Sequence, residues 1–307
     1  MAGQVMEFRQ LQYFVAMYEE GSVTRAARRL NIVQPAISLQ LAKLEDQLGC
    51  PLFLRTPKGL VPTQSGHEAY RLFLPILRAI DDARQELTAS RDTVKGHVAA
   101  GVVASVAHNA LSETLVSFTA KYADVTLRTT DGYTRELLEM LRIGQLDLVV
   151  INASRKRSDY EQTELVSEDL MLISGAKSQP PAGSVRLDTI DQRKLVIPSA
   201  RHGLRMILEE VASQQGISLT PRFEFDEIGT IENFIISTDY VAILPPIAVA
   251  NALRSRLLRC TPIFPQIARQ IACVHHAARP LSRAATVFVD ELRDRLVTVQ
   301  RELRLLE

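Results

Sequence analysis

The sequence predicts an α/β protein of two unlike parts: a small winged helix-turn-helix at the N-terminus, then a long linker helix leading into two Rossmann-like subdomains. Three patterns predict it. Ser22 to Leu48 reads as two short helices around a tight turn. Gln64 to about Arg91 reads as one long amphipathic helix. From His97 onward, apolar runs of strand length alternate with segments of helical period.

In the first pattern, Ser22 is suited to accept from the free N–H groups of a helix start, and Ala26 and Ala27 allow close helix approach. Asn31 sits at the turn, where asparagine tolerates the left-handed conformation. Gln34-Pro35 opens the second helix at the position where proline loses no hydrogen bond. Ile37, Leu41, Leu44 and Leu48 give it a buried stripe, and Gly49 stops it. A preceding helix, Phe8 to Glu19, turns Leu11, Phe14, Val15 and Tyr18 to one side. Pro51 to Thr63 makes two short extended runs around Pro57-Lys58-Gly59, the pattern of a wing. The outer face supplies hydrogen-bonding and basic groups of the kind that meet base edges and phosphates. The candidate DNA contacts are Ser22, Thr24, Arg25 and Arg28 before the turn, Gln34, Pro35, Ser38, Gln40 and Lys43 after it, and Arg55 and Lys58 on the wing.

Composition narrows the classes further. The 307 residues suffice for two or three domains, and 46% hydrophobic with 23% charged residues describes an ordinary globular chain. The net charge of +1 excludes a generally basic coat but not a local basic patch. Cys50, Cys260 and Cys273 have neither disulfide nor zinc spacing, which suits a reducing compartment. With no apolar stretch of membrane-spanning length and no leader pattern at the start, a cytoplasmic location without membrane contact is expected.

In the long helix, Ala69, Leu72, Phe73, Ile76, Leu77, Ile80, Ala83 and Leu87 recur at three and four residues, with Pro75 predicted to kink it. Such a stripe is covered by an antiparallel copy from a second subunit or by the chain's own core. Beyond a polar linker, His97–Val103, Val125–Thr130 and Leu146–Ile151 read as strands separated by helices, a βαβαβ unit with a parallel sheet. A second set follows: strands at 170–174, 195–197, 222–226 and 240–244, helices at 204–215 and 231–237, a strand at 267–274, and a last helix from Leu281 to Leu305.

From Met6 to Gly66 the chain resembles the DNA-binding domain of LysR-type transcriptional regulators. The matching residues are Leu11-Gln12-Tyr13-Phe14, Gly21 to Ala27, Gln34-Pro35-Ala36-Ile37-Ser38, Leu44-Glu45, Leu48-Gly49, Pro51-Leu52-Phe53, Arg55 and Thr63-Gln64-Ser65-Gly66. Gly144-Gln145-Leu146-Asp147-Leu148-Val149-Val150 extends the resemblance into the second half, which looks like a periplasmic-type solute-binding fold. The resemblance implies a DNA-binding domain over 1–63, a dimerisation helix over 64–95, subdomain I over 96–167 and 275–307, and subdomain II over 168–274. It implies crossovers near Glu164 to Leu172 and Arg269 to Val274. It also implies a homodimer that pairs into a tetramer, contact with RNA polymerase, no resident cofactor, and a small-molecule effector, an organic acid, between the subdomains. Three places depart from the family pattern. Val33 stands where a serine cap is usual, Leu39 where a polar residue is usual, and Thr238-Asp239-Tyr240 where glycines are usual.

Open α/β sheets bind ligands beyond the carboxyl ends of their strands, at helix starts. Ser105 and Val106 follow the first strand, Thr134 opens the next helix, and Arg201-His202 and Thr230 precede helices of the second subdomain. These are the candidate effector residues, with Arg201 able to pair with an acid. Enzyme chemistry lacks its residues. Ser105 with His108 is no triad and has no strained nucleophile turn, and Cys273-Val274-His275-His276 is no zinc spacing. A secreted solute-binding protein is the alternative for the second half, but it leaves residues 6–66 unexplained.

Overall fold

The computed structural model describes residues 6–56, 59–88, 93–153, 159–178 and 183–305. They form two compact units, the first holding the described residues up to 88 with 142–145 and the second the rest.

The first unit runs α1 (Phe8–Glu20), α2 (Val23–Arg29), α3 (Gln34–Leu48), β1 (Phe53–Thr56), β2 (Gly59–Pro62) and α4 (Gln64–Thr88). Its core is centred on Phe14, fully buried, whose ring lies 5.4 Å from Phe53 and 5.8 Å from Phe73. Tyr18 stacks on Tyr70 at 3.9 Å, and its hydroxyl meets His67 Nδ1 at 2.6 Å. The first turns of α4 therefore belong to the core of this unit, where such aromatic pairs add to simple area burial. Leu72, Ile76 and Ile80 stay exposed on the same helix, which runs through Pro75 without a break.

Local devices fix the turns. Ser22 Oγ accepts from Arg25 N at 3.4 Å, and Asn31 takes a φ of 53°. Val33, 68% exposed, offers no side-chain cap, so α3 opens without one. Glu45 Oε1 accepts from Leu52 N at 2.7 Å and Phe53 N at 3.3 Å, which ties the wing to α3. Thr63 Oγ1 accepts from Gly66 N at 3.0 Å and donates to the Pro51 carbonyl at 2.7 Å. Gly66 is a glycine for want of space: a Cβ there would lie 2.1 Å from the Leu52 carbonyl oxygen.

In the second unit, β3 (Gly96–Val103) leads into a helical run over 104–121 with a π-bulge at Ala107–Leu111. Then come β4 (Val125–Gly132), the helix Thr134–Arg142, β5 (Leu148–Asn152) and β6 (Tyr160–Asp169). The middle of the unit holds β7 (Met171–Gly175), β8 (Val185–Arg186), β9 (Leu195–Pro198), the helix Gly203–Gln214, β10 (Phe223–Phe225), the helix Ile228–Ser237 and β11 (Val241–Leu244). It closes with the helix Ala250–Arg254, β12 (Leu258–Thr261), β13 (Ile263–Phe264), β14 (Ala268–His276) and the helix Arg283–Arg304.

Two five-stranded sheets result, ordered β4-β3-β5-β14-β6 and β10-β9-β11-β7-β12. Each is mixed rather than all parallel. β14 runs antiparallel to β5 and β6, and β7 antiparallel to β11 and β12. Asp147 of the Gly-Gln-Leu-Asp-Leu segment accepts from Ala99 N at 2.7 Å and returns its own N–H to Ala99 O at 2.8 Å, pinning the start of β5 against β3. β14 pairs along its whole length in the first sheet, so the return crossing precedes Ala268, and the expected division at 274/275 falls inside a strand. β6 and β12 are elements the sequence reading lacks.

Candidate functional site

The outward side of α2 and α3 carries most of the expected nucleic-acid contacts. Thr24, Arg25, Arg28, Gln34, Pro35 and Lys43 are exposed, with Ser38 half-buried between them. Thr24 Oγ1 donates to Gln34 Oε1 at 3.4 Å across the turn. Arg28 and Lys43 have no protein partner among the described residues, so both cations are available to phosphate. Arg25 is not: it donates to the Glu20 carbonyl and lies 3.6 Å from the Glu20 carboxylate. Gln40 also departs from expectation. It is half-buried, with its Oε1 buried and without a hydrogen-bond partner among the described residues. Ser22 spends its hydroxyl on the α2 cap. Leu39, 58% exposed, puts an apolar side chain on the same outer face. Lys58 lies outside the described residues, and β1 carries Arg55.

At the carboxyl ends of β3 and β5, Ser105, Thr134, Asn152, His202 and Gly203 converge from both subdomains. The space between them is only about 10 Å³, so the cleft is closed on its own side chains. A Cβ on Gly203 would stand 2.6 Å from Asn152 Nδ2 and 3.3 Å from Thr134 Oγ1. Several links join the two subdomains among the described residues. Arg201 Nη2 reaches Glu136 Oε1 at 2.7 Å, with its guanidinium 4.3 Å above the Tyr133 ring. Asn109 Nδ2 donates to Ala248 O at 2.6 Å, and His108 Nε2 lies 3.4 Å from Glu232 Oε2.

Ser105 is 2% exposed, and its Oγ accepts from Arg269 Nη1 at 2.7 Å. It does not cap its helix, and Arg269 takes one acceptor site of the hydroxyl while the O–H itself stays available to donate. Val106 is fully buried in the core, so only its backbone can face the cleft. Thr134 keeps the expected place, and its buried Oγ1 has no hydrogen-bond partner among the described residues. His202 lines the cleft with Nε2 against the Asp226 carbonyl, and Arg201 is occupied by Glu136. Thr230 is exposed and donates to Glu227 Oε2 at 2.9 Å, apart from the cleft lining.

Sequence reasoning missed the central group. Arg269, with no side-chain exposure, donates through Nε and Nη2 to Glu168 Oε1 at 3.0 and 2.5 Å, and through Nη1 to Ser105 and to Asn152 Oδ1 at 3.3 Å. Glu168 Oε2 accepts from Ile247 N at 3.3 Å. Arg269 and Glu168 stand on β14 and β6, so this ion pair joins the two crossover strands and reaches a residue of each subdomain. No local pattern marks it, because the partners are 101 and 164 residues apart.

The electrostatics are set by short polar contacts. The Ser199 hydroxyl, then Tyr133 and Arg201, hold the Asp226 carboxyl below the usual carboxylate range. Desolvation, and after it the Asp226 charge, push the Tyr133 hydroxyl up. The Glu232 carboxylate, helped by Glu227, raises His108 above the ordinary imidazole value. Burial pushes the Cys273 thiol up to about 12, leaving it inert. None of the three cysteines lines the cleft.

Two family models match. Residues 8–67 fit the bacterial regulatory helix-turn-helix protein of the lysR family, and residues 91–297 fit the LysR substrate binding domain. The chain belongs to the LysR family of transcriptional regulators. The nitrogen assimilation regulatory protein nac of Escherichia coli K12 is 31% identical over 247 residues, 80% of each chain. The hydrogen peroxide-inducible genes activator of Haemophilus influenzae is 25% identical over 295 residues, 94% of this chain and 98% of that one. A full-length OxyR point variant from Pseudomonas aeruginosa shares the fold, with a TM-score of 0.74, 22% identity and coverage of 94% of this chain and 98% of that one. As a LysR-type regulator the chain binds DNA, is not an enzyme, and carries a substrate-binding domain for a small-molecule effector. Among the described residues, no helix is long and apolar enough to cross a membrane. Nor does any group of three His, Cys, Asp or Glu stand ready to hold a metal ion.

Proposed function

We propose that this regulator binds an inverted-repeat operator as a homodimer and responds to a small organic acid held between its two α/β subdomains. The exposed stripe of Leu72, Ile76 and Ile80 on α4 supports the dimer, since a second copy of the same helix would cover it. Two α3 helices then enter successive major grooves, with Gln34 and Ser38 toward base edges and Arg28 and Lys43 toward phosphates. Pairs of dimers form a tetramer, and effector-driven movement of the subdomains alters DNA bending and contact with RNA polymerase.

The single observation that carries the effector site is Thr134 Oγ1, buried in the cleft with no partner among the described residues. A buried hydroxyl in that state is costly unless a ligand atom completes it. Around it, the helices starting at Ala104 and Gly203 open without side-chain caps and offer free N–H groups to an oxyanion. A carboxylate there would take Thr134 and Asn152, and its entry requires Arg201 to leave Glu136. With no cysteine in the lining and the Cys273 thiol held protonated, thiol-based peroxide sensing at this cleft is disfavoured, although two similar proteins are tied by name to peroxide or OxyR.

The test is a gel shift on the DNA upstream of the chain's own gene, with excess nonspecific competitor and a panel of organic acids. A competitor-resistant band that changes mobility with one acid is expected. Lys43→Ala and Arg28→Ala should each lower the salt dependence of binding by about one phosphate contact. Thr134→Val should abolish the acid response and keep the band. A band whose salt slope neither variant alters would remove α2 and α3 from the interface, and an unchanged acid response in Thr134→Val would move the effector elsewhere.

A further inference from the structure

The second unit holds an open cavity apart from the cleft. It lies behind the crossover strands, has a volume of about 340 Å³, and is built from both subdomains and the last helix. That volume is within the range of small-molecule sites, whereas the cleft's is far below it. Met171, Ile247, Ile263 and Leu303 make an apolar wall, all nearly fully buried. The polar lining is asymmetric. Arg304 brings a guanidinium with no ion-pair partner among the described residues. Asp169 and Gln300 bring acceptors. Asp169 Oδ2 takes the Gln266 amide at 2.7 Å and leaves Oδ1 open, while Gln300 gives its amide N–H to the Ser167 carbonyl and leaves its own oxygen open.

A free cation and free acceptors around an apolar wall complement a ligand with one carboxylate, one ammonium and a hydrocarbon body. We propose that this cavity is a second small-molecule site, distinct from the inter-subdomain cleft, that binds an apolar α-amino acid. The carboxylate pairs with Arg304, the ammonium with Asp169 and Gln300, and the side chain lies on Met171, Ile247 and Ile263. The site is wired to the cleft. Ile247 of its wall donates to Glu168, Glu168 holds Arg269, and Arg269 holds Ser105 and Asn152 at the cleft. Occupation of one site therefore biases the same hinge that the other must move. The binding claim does not depend on what the cleft takes.

Isothermal titration of the full-length protein with L-leucine and L-phenylalanine tests it, beside isocaproate, which lacks the ammonium, and isoamylamine, which lacks the carboxylate. At least one amino acid should give saturable heat, and both singly charged analogues should bind about tenfold or more weakly by comparison. Arg304→Gln and Asp169→Asn, both outside the packed core, should each raise the amino acid's Kd about tenfold. Absence of saturable heat with both amino acids overturns the proposal. So does binding that neither variant weakens, or analogues that bind as well as the amino acids. Failure here leaves the gel-shift response to organic acids untouched, so the two sites are judged separately.

Discussion

Arginines in the two units are held in opposite ways. In the helix-turn-helix, Arg25 and Arg29 are exposed and tied to Glu19 and Glu20, five to ten residues away, while Arg28 stands free. At the hinge, Arg269 has no exposed side-chain surface and is tied to residues 101, 117 and 164 positions away. An exposed pair contributes about 0–1 kcal/mol, so losing one of the first set costs the fold little, and the free Arg28 can meet a polyanion without breaking any pair. A buried guanidinium has no such freedom. Its desolvation is offset only by the full set of Glu168, Ser105 and Asn152, so loss of one member strands the others.

The contrast breaks first at Arg269. Arg269→Ala should destabilise the protein by about 3–5 kcal/mol by leaving Glu168 buried and unpaired, read as a drop in the denaturant midpoint of the full chain. Arg25→Ala should shift that midpoint little. A shift of similar size in both would mean that solvent reaches the hinge pair and that the contrast is false. Next comes Gly66→Ala. A methyl group 2.1 Å from the Leu52 carbonyl cannot be housed without moving the wing strand, at a cost of about 1–3 kcal/mol. Loss of DNA affinity with unchanged effector binding would confine the damage to the first unit, and an unaltered melting profile would show that α4 and the wing slide freely.

The smallest effect sharpens the picture of the cleft. His108 is held above its ordinary value of 6.5 by Glu232, with Glu227 beside it. A raised folded-state value means that this link contributes fully below about pH 6.5 and is lost as pH climbs through the raised value. The difference in thermal midpoint between the protein and His108→Gln should therefore be greatest in mild acid and vanish toward alkaline pH. A difference that grows with pH would reverse the assignment.

Short-range devices were legible in the sequence. Ser22, Asn31, Gly49 and the Gln34-Pro35 helix start each act within four residues, and each appears where its residue type requires it. Partners brought together by the fold were not. Arg269 reads in isolation as one polar residue of a strand, and β6 reads as a polar stretch because its ladder partner β14 lies about a hundred residues away in the chain. Ser105 was found by position, but the arginine that donates to its Oγ was not, and Gln40 shows that a polar residue on a recognition helix can still bury its side-chain oxygen. Thr134 was placed at the cleft because a helix start after a strand is a local feature.

Gly203 sets a tolerance for the whole effector module. Asn152, the group a side chain there would strike, cannot swing aside without giving up Arg269, so the clearance between the subdomains is less than one methyl group. The resting spacing of the module is thus gauged by an absent atom. A relative with any side chain at this position must rest wider apart or rebuild its hinge, and alanine here would act as a shim of known thickness.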